Sequence, residues 1–319
     1  MEVFILVTGG AGFIGSCLVE RLLRNPDYKV VIADNLSTGD KRKLPSATNP
    51  NWKFIQCDVN DYQSIASVMH LYHFDYVFHY AAMVGVQRTQ QHPLAVLTDI
   101  DGIRNVCKLS KDTGVKRVFF SSSSEVYGEP FEIPQRVDTT PLNSRVPYAV
   151  VKNLGEAYLR SYNQEFGLEY SIFRFFNTYG PRQSSDFVIS RFIHKALNNV
   201  DIQVYGDGKQ TRTFCFIDDN IEACVNAFEH DLLINDVANI GGDKEYSIGD
   251  LATMIVEKTG SKSRIVNVTP LKDGDMRRRC PDNTFMKTTL LNNRPLTTLS
   301  EGIDIILREG LFDMNIRKE

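Results

Sequence analysis

What this sequence lacks narrows the field before any motif is read. It has one tryptophan, its six cysteines include no Cys-x-x-Cys pair, and its formal charge is only −3. The six histidines show no metal-binding spacing. His79 ends an apolar run and His92 precedes Pro93, so both are expected to be structural, and no metal site is expected. Scattered cysteines in a reducing compartment behave as small buried apolar groups. With no basic excess, neither nucleic acid nor an anionic membrane is an expected partner, and Lys41-Arg42-Lys43 reads as a solvated loop. No apolar run nears the roughly 18 residues that span a bilayer, and the N-terminal one is too short for a secretory signal. The expected location is the cytoplasm.

What is there is an ordinary globular composition, 42% hydrophobic and 24% charged over 319 residues, enough for one large domain or two lobes. Up to about residue 175, strand-like runs alternate with helix-period segments. The runs are Val3 to Val7, Val30 to Ala33, Phe54 to Cys57, Tyr76 to Tyr80, Val118 to Ser121 and Tyr170 to Phe173; the segments between them are Phe13 to Leu23, Tyr62 to Leu71, Leu94 to Lys111 and Tyr148 to Phe166. Alternation of this kind predicts an α/β fold, a doubly wound parallel sheet of the Rossmann type. After Gly180 the texture changes, with a polar loop and shorter helices, so a smaller C-terminal α/β substrate lobe is expected over 181–319 behind a domain of 1–180. Thr213 to Ile217 and Val237 to Ile240 read as strands available to return to the main sheet, which brings residues near 213–242 back to the first domain.

The stretch Leu6-Val-Thr-Gly-Gly-Ala-Gly-Phe-Ile-Gly-Ser16 follows the first apolar run and opens an amphipathic segment, where a phosphate-cradling turn belongs. Gly9 permits the tight turn, Gly12 admits a pyrophosphate close to the backbone, and Gly15 lets helix and strand pack. Asp34 ends the second run about 20 residues after Gly15, where a carboxylate accepts from a ribose 2′-OH and repels a 2′-phosphate; NAD is therefore favoured over NADP. Tyr148 and Lys152 stand four apart at the start of a helix-period segment, so they share a helix face, and an ammonium beside a phenol favours the phenolate. Tyr205 and Lys209 have the same spacing but enclose Gly206-Asp207-Gly208, a turn, and are discarded. The run Ser121 to Ser124 and Glu125 follows a strand, at the end where open α/β sheets bind ligands.

Taken together, the Thr8 to Gly15 fingerprint, Asp34-Asn35-Leu36-Ser37-Thr38-Gly39, Asp58-Val59, Ala81-Ala82, the serine run and the Tyr148/Lys152 pair resemble the extended short-chain dehydrogenase/reductase family, in its nucleotide-sugar epimerase, dehydratase and decarboxylase branch. The resemblance implies a tightly held NAD contacted by Gly9, Gly12, Phe13, Ile14, Gly15, Asp34, Asn35, Ser37, Thr38, Gly39, Asp58, Val59, Ala81 and Ala82. It assigns Ser123 as the catalytic Ser/Thr, Tyr148 as the base for the sugar hydroxyl, and Lys152 as the residue that lowers its pKa and binds the nicotinamide ribose. It also implies a nucleotide-diphosphate-sugar substrate held by Val84, Asn177, Gln203, Tyr205, Arg212, Asp275 and Arg279, and a homodimer formed through the helices at Leu94 to Lys111 and Tyr148 to Phe166.

All reactions of this branch open by oxidising C4 of the sugar. Glu125 before Val-Tyr-Gly resembles dehydratases and decarboxylases more than epimerases, so 4,6-dehydration is the expected reaction. Ser124 stands where some dehydratases have an acidic Asp, which leaves Glu125 to act as both base and acid. C4 epimerisation is the first alternative and decarboxylation of a UDP-glucuronate-type sugar the second, the latter disfavoured because Ala81 to Val86 lacks a proline-containing segment. A non-catalytic NAD-binding scaffold would have no use for Ser123, Tyr148 and Lys152 together.

Overall fold

The computed structural model describes residues 2–270 and 276–312. Along the chain the strands are β1 (Val3–Thr8), β2 (Tyr28–Asp34), β3 (Trp52–Gln56), β4 (Tyr76–His79), β5 (Arg117–Ser123), β6 (Glu169–Phe175), β7 (Thr178–Tyr179), β8 (Ile202–Tyr205), β9 (Thr211–Thr213), β10 (Cys215–Phe216), β11 (Asp236–Ile240), β12 (Glu245–Ser247) and β13 (Ile265–Val268). The helices are α1 (Phe13–Leu22), α2 (Tyr62–Tyr72), α3 (Val86–Gln91), α4 (Pro93–Leu97), α5 (Asp99–Thr113), α6 (Pro147–Phe166), α7 (Val188–Leu197), α8 (Ile217–Glu229), α9 (Ile248–Thr259) and α10 (Leu299–Glu309).

Seven strands form one sheet in the order β11-β6-β5-β4-β1-β2-β3, and β1 pairs in parallel with both β2 and β4. The strand order reverses beside β1, which creates the crevice at the carboxyl ends where ligands of doubly wound sheets bind. The central strands are apolar in their middles because helices cover both faces. Ile5, Leu6, Val7, Phe78, Phe119 and Ile172 are fully buried, and Phe78 stacks on Phe119 with centroids 4.4 Å apart. Helices α5 and α6 pack on one another, and α6 packs on β5.

The chain divides into two compact units. The first comprises Met1–Val126, Pro147–Arg174 and Ile221–Ala238; the second comprises Tyr127–Val146, Phe175–Asn220 and Asn239–Glu319. The second unit is thus more than a stretch beginning after residue 180. Residues 127–146 join it because the Gln135 amide donates to the Cys280 carbonyl at 2.8 Å, Asp282 donates to the Gln135 carbonyl at 2.8 Å, and Tyr127 donates its hydroxyl proton to Asn239 at 2.7 Å.

Three local expectations need correction. Thr213 to Ile217 is not one strand and does not return to the main sheet: β9 pairs with β12, β10 pairs with β7, and Ile217 already opens α8. The ladder changes partner because Asn177 intervenes, donating its side-chain amide to the Thr213 carbonyl at 2.9 Å and accepting from the Cys215 amide at 3.3 Å. Val237 to Ile240 does return, as the edge strand β11. Leu94 to Lys111 is two helices broken at Thr98, whose hydroxyl turns back to the Ala95 carbonyl at 2.6 Å. Lys41–Lys43 is a 3₁₀ turn capped by Asp40; Lys41 and Arg42 are exposed as a solvated segment would be, but Lys43 is buried.

The turn between β1 and α1 leaves no room for a side chain at Gly15. A Cβ there would lie 2.2 Å from the Gly9 carbonyl oxygen and 2.9 Å from the Gly10 Cα, so the third glycine packs against the turn's own backbone. Gly15→Ala is expected to destabilise the protein by about 1–3 kcal/mol, the usual scale of overpacking, because a backbone oxygen cannot rotate away. Denaturant unfolding of the variant beside the native protein measures the difference, and equal midpoints would contradict it.

Candidate active site

In the first unit the site begins at the glycine turn. Gly9 adopts φ +70°, which a residue with a Cβ rarely tolerates, and a Cβ there would meet the Ala81 amide nitrogen at 2.7 Å. Gly12 is the N-cap of α1 and offers no side chain to its first-turn amides; no acidic residue stands in that turn. An uncapped helix N-terminus of this kind presents free N–H donors and a positive dipole end, the chemistry that a pyrophosphate requires. The turn therefore fits a dinucleotide.

The segment after β4 is fixed to the same turn through one hydroxyl. Thr8 Oγ1 accepts from the amides of Tyr80 at 3.1 Å and Ala81 at 3.2 Å, so its own proton goes to His79 Nδ1, 2.8 Å away. That assigns the His79 proton to Nε2. Burial, with a smaller contribution from the Lys152 charge, pushes the imidazole pKa down to about 3, so His79 is a neutral structural acceptor. Ala81 and Ala82 follow it, half-buried. Met83 donates its amide to Asp99 Oδ2 at 2.7 Å, and the Val84 carbonyl accepts from Arg88 at 3.3 Å.

Asp34 ends β2 with its carboxylate nearly buried. Oδ2 accepts from the Ala11 amide at 3.0 Å and Oδ1 from the Leu36 amide at 2.8 Å. Burial pushes its pKa up while these two hydrogen bonds pull it down. Asp34 thus clamps the glycine turn to the 35–40 loop, a structural task beyond the one its position in the sequence suggests. Asn35, Ser37 and Thr38 are exposed or lie beside exposed chain, and Gly39 sits against the Asp34 carboxylate, where a Cβ would come within 2.6 Å of Oδ1. Asp58 accepts from Asn35 Nδ2 at 3.2 Å and from the Asn60 amide at 2.9 Å, while Asn105 holds the Val59 carbonyl at 3.0 Å. Phe13 and Ile14 are half-buried at the start of α1.

The chemistry-bearing residues meet at the end of β5. Ser123 is its last residue, and its hydroxyl accepts from the Glu125 amide at 3.2 Å. Ser124 is buried and opens a 3₁₀ turn through Tyr127, which leaves Glu125 half-buried. On α6, Tyr148 is half-buried while Lys152 is only 3% exposed. The Lys152 ammonium lies 5.8 Å from the Tyr148 ring centroid and 4.9 Å over the Phe120 ring, and donates to Ser121 Oγ at 3.4 Å. Burial lowers its pKa to about 8, against the smaller raising effect of Asp99. Sequence reading placed Thr8 in the glycine fingerprint and Ser121 in the serine run without giving either a partner, and it missed Asp99, because only the fold brings the three to these atoms.

In the second unit, Asn177 has φ +37° and spends its side-chain amide on the Thr213 carbonyl. Neighbouring Arg212 is half-buried on β9, where it donates to the Thr211 carbonyl at 2.7 Å. The Thr211 amide donates to the Arg277 carbonyl at 2.9 Å, which draws the 277–279 arginines alongside β9. Arg278 forks onto Glu245 at 3.1 and 2.5 Å, and Arg279 is 5% exposed with Nη2 3.1 Å from Met276 Sδ. Gln203 is exposed and accepts from Lys195 at 3.3 Å; Tyr205, two residues on, has its carbonyl held by Gln210 at 3.0 Å. Asp275 lies outside the described residues. None of the six cysteines forms a disulfide. No described group of His, Cys, Asp or Glu could hold a metal ion.

Known proteins resemble the chain over most of its length. Residues 5–241 match the profile of the NAD dependent epimerase/dehydratase family. The chain is 38% identical over 295 residues to a UDP-N-acetyl-alpha-D-glucosaminuronate decarboxylase of Bacillus cytotoxicus, covering 88% of this chain and 90% of that protein. It is 36% identical over 306 residues to a protein of Methanocaldococcus jannaschii provisionally assigned as UDP-glucose 4-epimerase, covering 94% and 95%. The structure of a UDP-glucose 4-epimerase from Thermotoga maritima with UDP-glucose superposes with a TM-score of 0.89 at 33% identity, covering 96% of this chain and 99% of that one.

Burial of Lys152 also predicts a pH effect. Its folded pKa lies below the unfolded value of 10.5, so between about 8 and 10.5 the unfolded chain binds the extra proton and stability rises with pH. Below that window the buried ammonium costs about 3 kcal/mol, at 1.36 kcal/mol per pH unit. Lys152→Met is expected to stabilise the NAD-free protein by that order at pH 7, with the gain shrinking as pH approaches 10.5. Urea unfolding of both proteins across this range checks it, and a gain that does not change with pH would refute it. The chain belongs to the NAD-dependent epimerase/dehydratase family, whose members modify nucleotide sugars.

Proposed function

We propose that this enzyme decarboxylates a nucleotide-diphosphate uronate through transient oxidation at C4. In this reading the NAD contacts are those named from the sequence, Gly9, Gly12, Phe13, Ile14, Gly15, Asp34, Asn35, Ser37, Thr38, Gly39, Asp58, Val59, Ala81 and Ala82, with Tyr148 and Lys152. Tyr148 takes the C4 hydroxyl proton, helped by the charge of Lys152, while Ser123 holds the same oxygen. NAD, when bound, accepts the C4 hydride and later gives it back. The C4 ketone makes the sugar a β-keto acid, so the C5–C6 bond breaks, its electron pair passes towards the C4 oxygen, and CO₂ leaves. C5 then needs one proton and O4 needs one; Glu125 and Tyr148 supply them.

The observation that carries this reading is the single carboxyl group at the end of β5. Glu125 stands beside Ser123 and Ser124, with a serine where some dehydratases have a second acid. Decarboxylation requires no base at C5 and no acid for a departing hydroxyl, so one carboxyl that protonates C5 suffices beside Tyr148. The relative at 38% identity, named as a uronate decarboxylase, supports the same choice. The 4,6-dehydration expected from the sequence is the second reading, because Glu125 can remove a C5 proton and then deliver it to a C6 hydroxyl. Asn177, Arg212 and Arg279 would grip the diphosphate, with Gln203, Tyr205, Val84 and Asp275 around the rest of the nucleotide sugar. The six cysteines, none in a disulfide, support a reducing, cytoplasmic setting. Exposed Leu94 on α4, with Val150 and Leu154 on α6, supports a homodimer.

Incubation with UDP-glucuronate, UDP-N-acetylglucosaminuronate, UDP-glucose and dTDP-glucose, followed by mass measurement, separates the reactions. Loss of CO₂ from a uronate is the expected result; loss of water from a hexose would replace this reading with dehydration, and an isomer of unchanged mass with epimerisation. Tyr148→Phe is expected to reduce kcat by about two or more orders of magnitude, the scale of losing a general base. Retention of most of the turnover would remove Tyr148 from the mechanism.

A further inference from the structure

One buried charged cluster in the first unit remains unused by the mechanism. Glu156 lies one turn beyond Lys152 and two beyond Tyr148 on the same face of α6, and it is 1% exposed. Its Oε1 accepts from Ser122 Oγ at 2.6 Å and from Arg174 Nε at 2.9 Å. Oε2 accepts from Arg174 Nη2 at 2.7 Å and, more weakly, from Arg160 Nη2 at 3.3 Å. Ser122 and Arg174 are each 2% exposed. Three elements, β5, α6 and β6, therefore converge on one carboxylate, and its β5 partner, Ser122, sits directly between Ser121 and Ser123.

A pair of charges taken this far from water gains little net stability, and replacing such a pair by apolar side chains of similar size is often neutral or favourable. What the cluster does provide is directional restraint, because a forked guanidinium and a short hydroxyl bond admit only one placement of the carboxylate. Helix α6 is otherwise held to β5 by apolar contact such as Gly155 against the Phe120 ring and by the long Lys152–Ser121 contact at 3.4 Å, which resist separation more than sliding along the strand. Sliding would shift Tyr148 relative to Ser123 and would lift Lys152 from Phe120 and Ser121.

We propose that Ser122, Glu156 and Arg174 are positioning residues that fix the axial register of α6 against β5, and so hold Tyr148 and Lys152 in working alignment with Ser123. This rests on the reading of Tyr148 as the base. Glu156 touches no reacting atom and acts through the helix that carries them.

The test compares NAD-saturated wild-type protein, the double variant E156L/R174M and, as a milder change, Ser122→Ala. Each is titrated by ultraviolet phenolate absorbance, with the corresponding Tyr148→Phe protein subtracted so that the Tyr148 step stands alone. In the double variant that step is expected to move up by about one pH unit as water reaches Lys152 and its field on the phenol weakens. With the sugar found active in the mass panel, kcat should fall about tenfold while KM stays within about threefold, the pattern of a lost transition-state alignment. A folded double variant whose Tyr148 step and kcat match the wild type overturns the proposal, whatever its melting temperature. If the double variant does not unfold cooperatively, Ser122→Ala decides by the same two readings. A wild-type Tyr148 that titrates like an ordinary tyrosine overturns the reading of Tyr148 as base and this proposal with it, whereas a lowered wild-type step that the variants leave in place overturns this proposal alone.

Discussion

A lysine ammonium almost out of contact with water is the constraint on which the first unit is organised. Lys152 has a phenyl ring, one long hydroxyl contact and the more distant charge of Asp99 for company, and its pKa falls to about 8 in consequence. A charge in such surroundings acts strongly on its neighbours because little solvent screens it. The same desolvation makes the site expensive to assemble. Folding accepts an unfavourable group beside Tyr148, the base of the proposed mechanism, and the surrounding sheet, with its stacked Phe78, Phe119 and Phe173, supplies the stability that offsets it.

Around that charge, short polar side chains fix loops that would otherwise wander. One threonine hydroxyl gathers two amides and hands its proton to a histidine kept neutral. One aspartate joins the glycine turn to the loop after β2, and another, Asp99, takes the Met83 amide and is itself pushed towards the neutral form by burial. In each case a backbone N–H that leads into the cleft end of the sheet is satisfied by a side chain from an adjacent strand or helix. These loops are thereby pinned without secondary structure of their own.

How much of this was legible beforehand depended on whether a feature was local. The β1 turn, the alternation up to residue 175 and the Tyr148/Lys152 face all follow from spacing within a few residues, and the strands and helices stand where the periodicity places them to within a residue or two at most ends. Thr98 was invisible because a single-residue break leaves the apolar spacing of α4 and α5 almost in phase. The division of 213–217 between two ladders was invisible too, since it depends on a side chain from residue 177. Asp34 was recognised by position, yet its two backbone partners come from either side of it in the fold. Glu156 could have been noticed one turn past Lys152, but a lone acid on a helix face says nothing until Arg174 arrives from β6.

The edge strand β11 has a consequence for synthesis. Strand β6 ends at residue 175, and the strand that covers its free side is not translated until residues 236–240, after much of the second unit. During that interval the growing chain carries an open, apolar strand border able to pair with any neighbouring nascent chain. Ribosome-associated holding factors that shield extended segments would therefore matter most for this protein late in translation, and slowing elongation between those two points would lengthen its period of greatest aggregation risk.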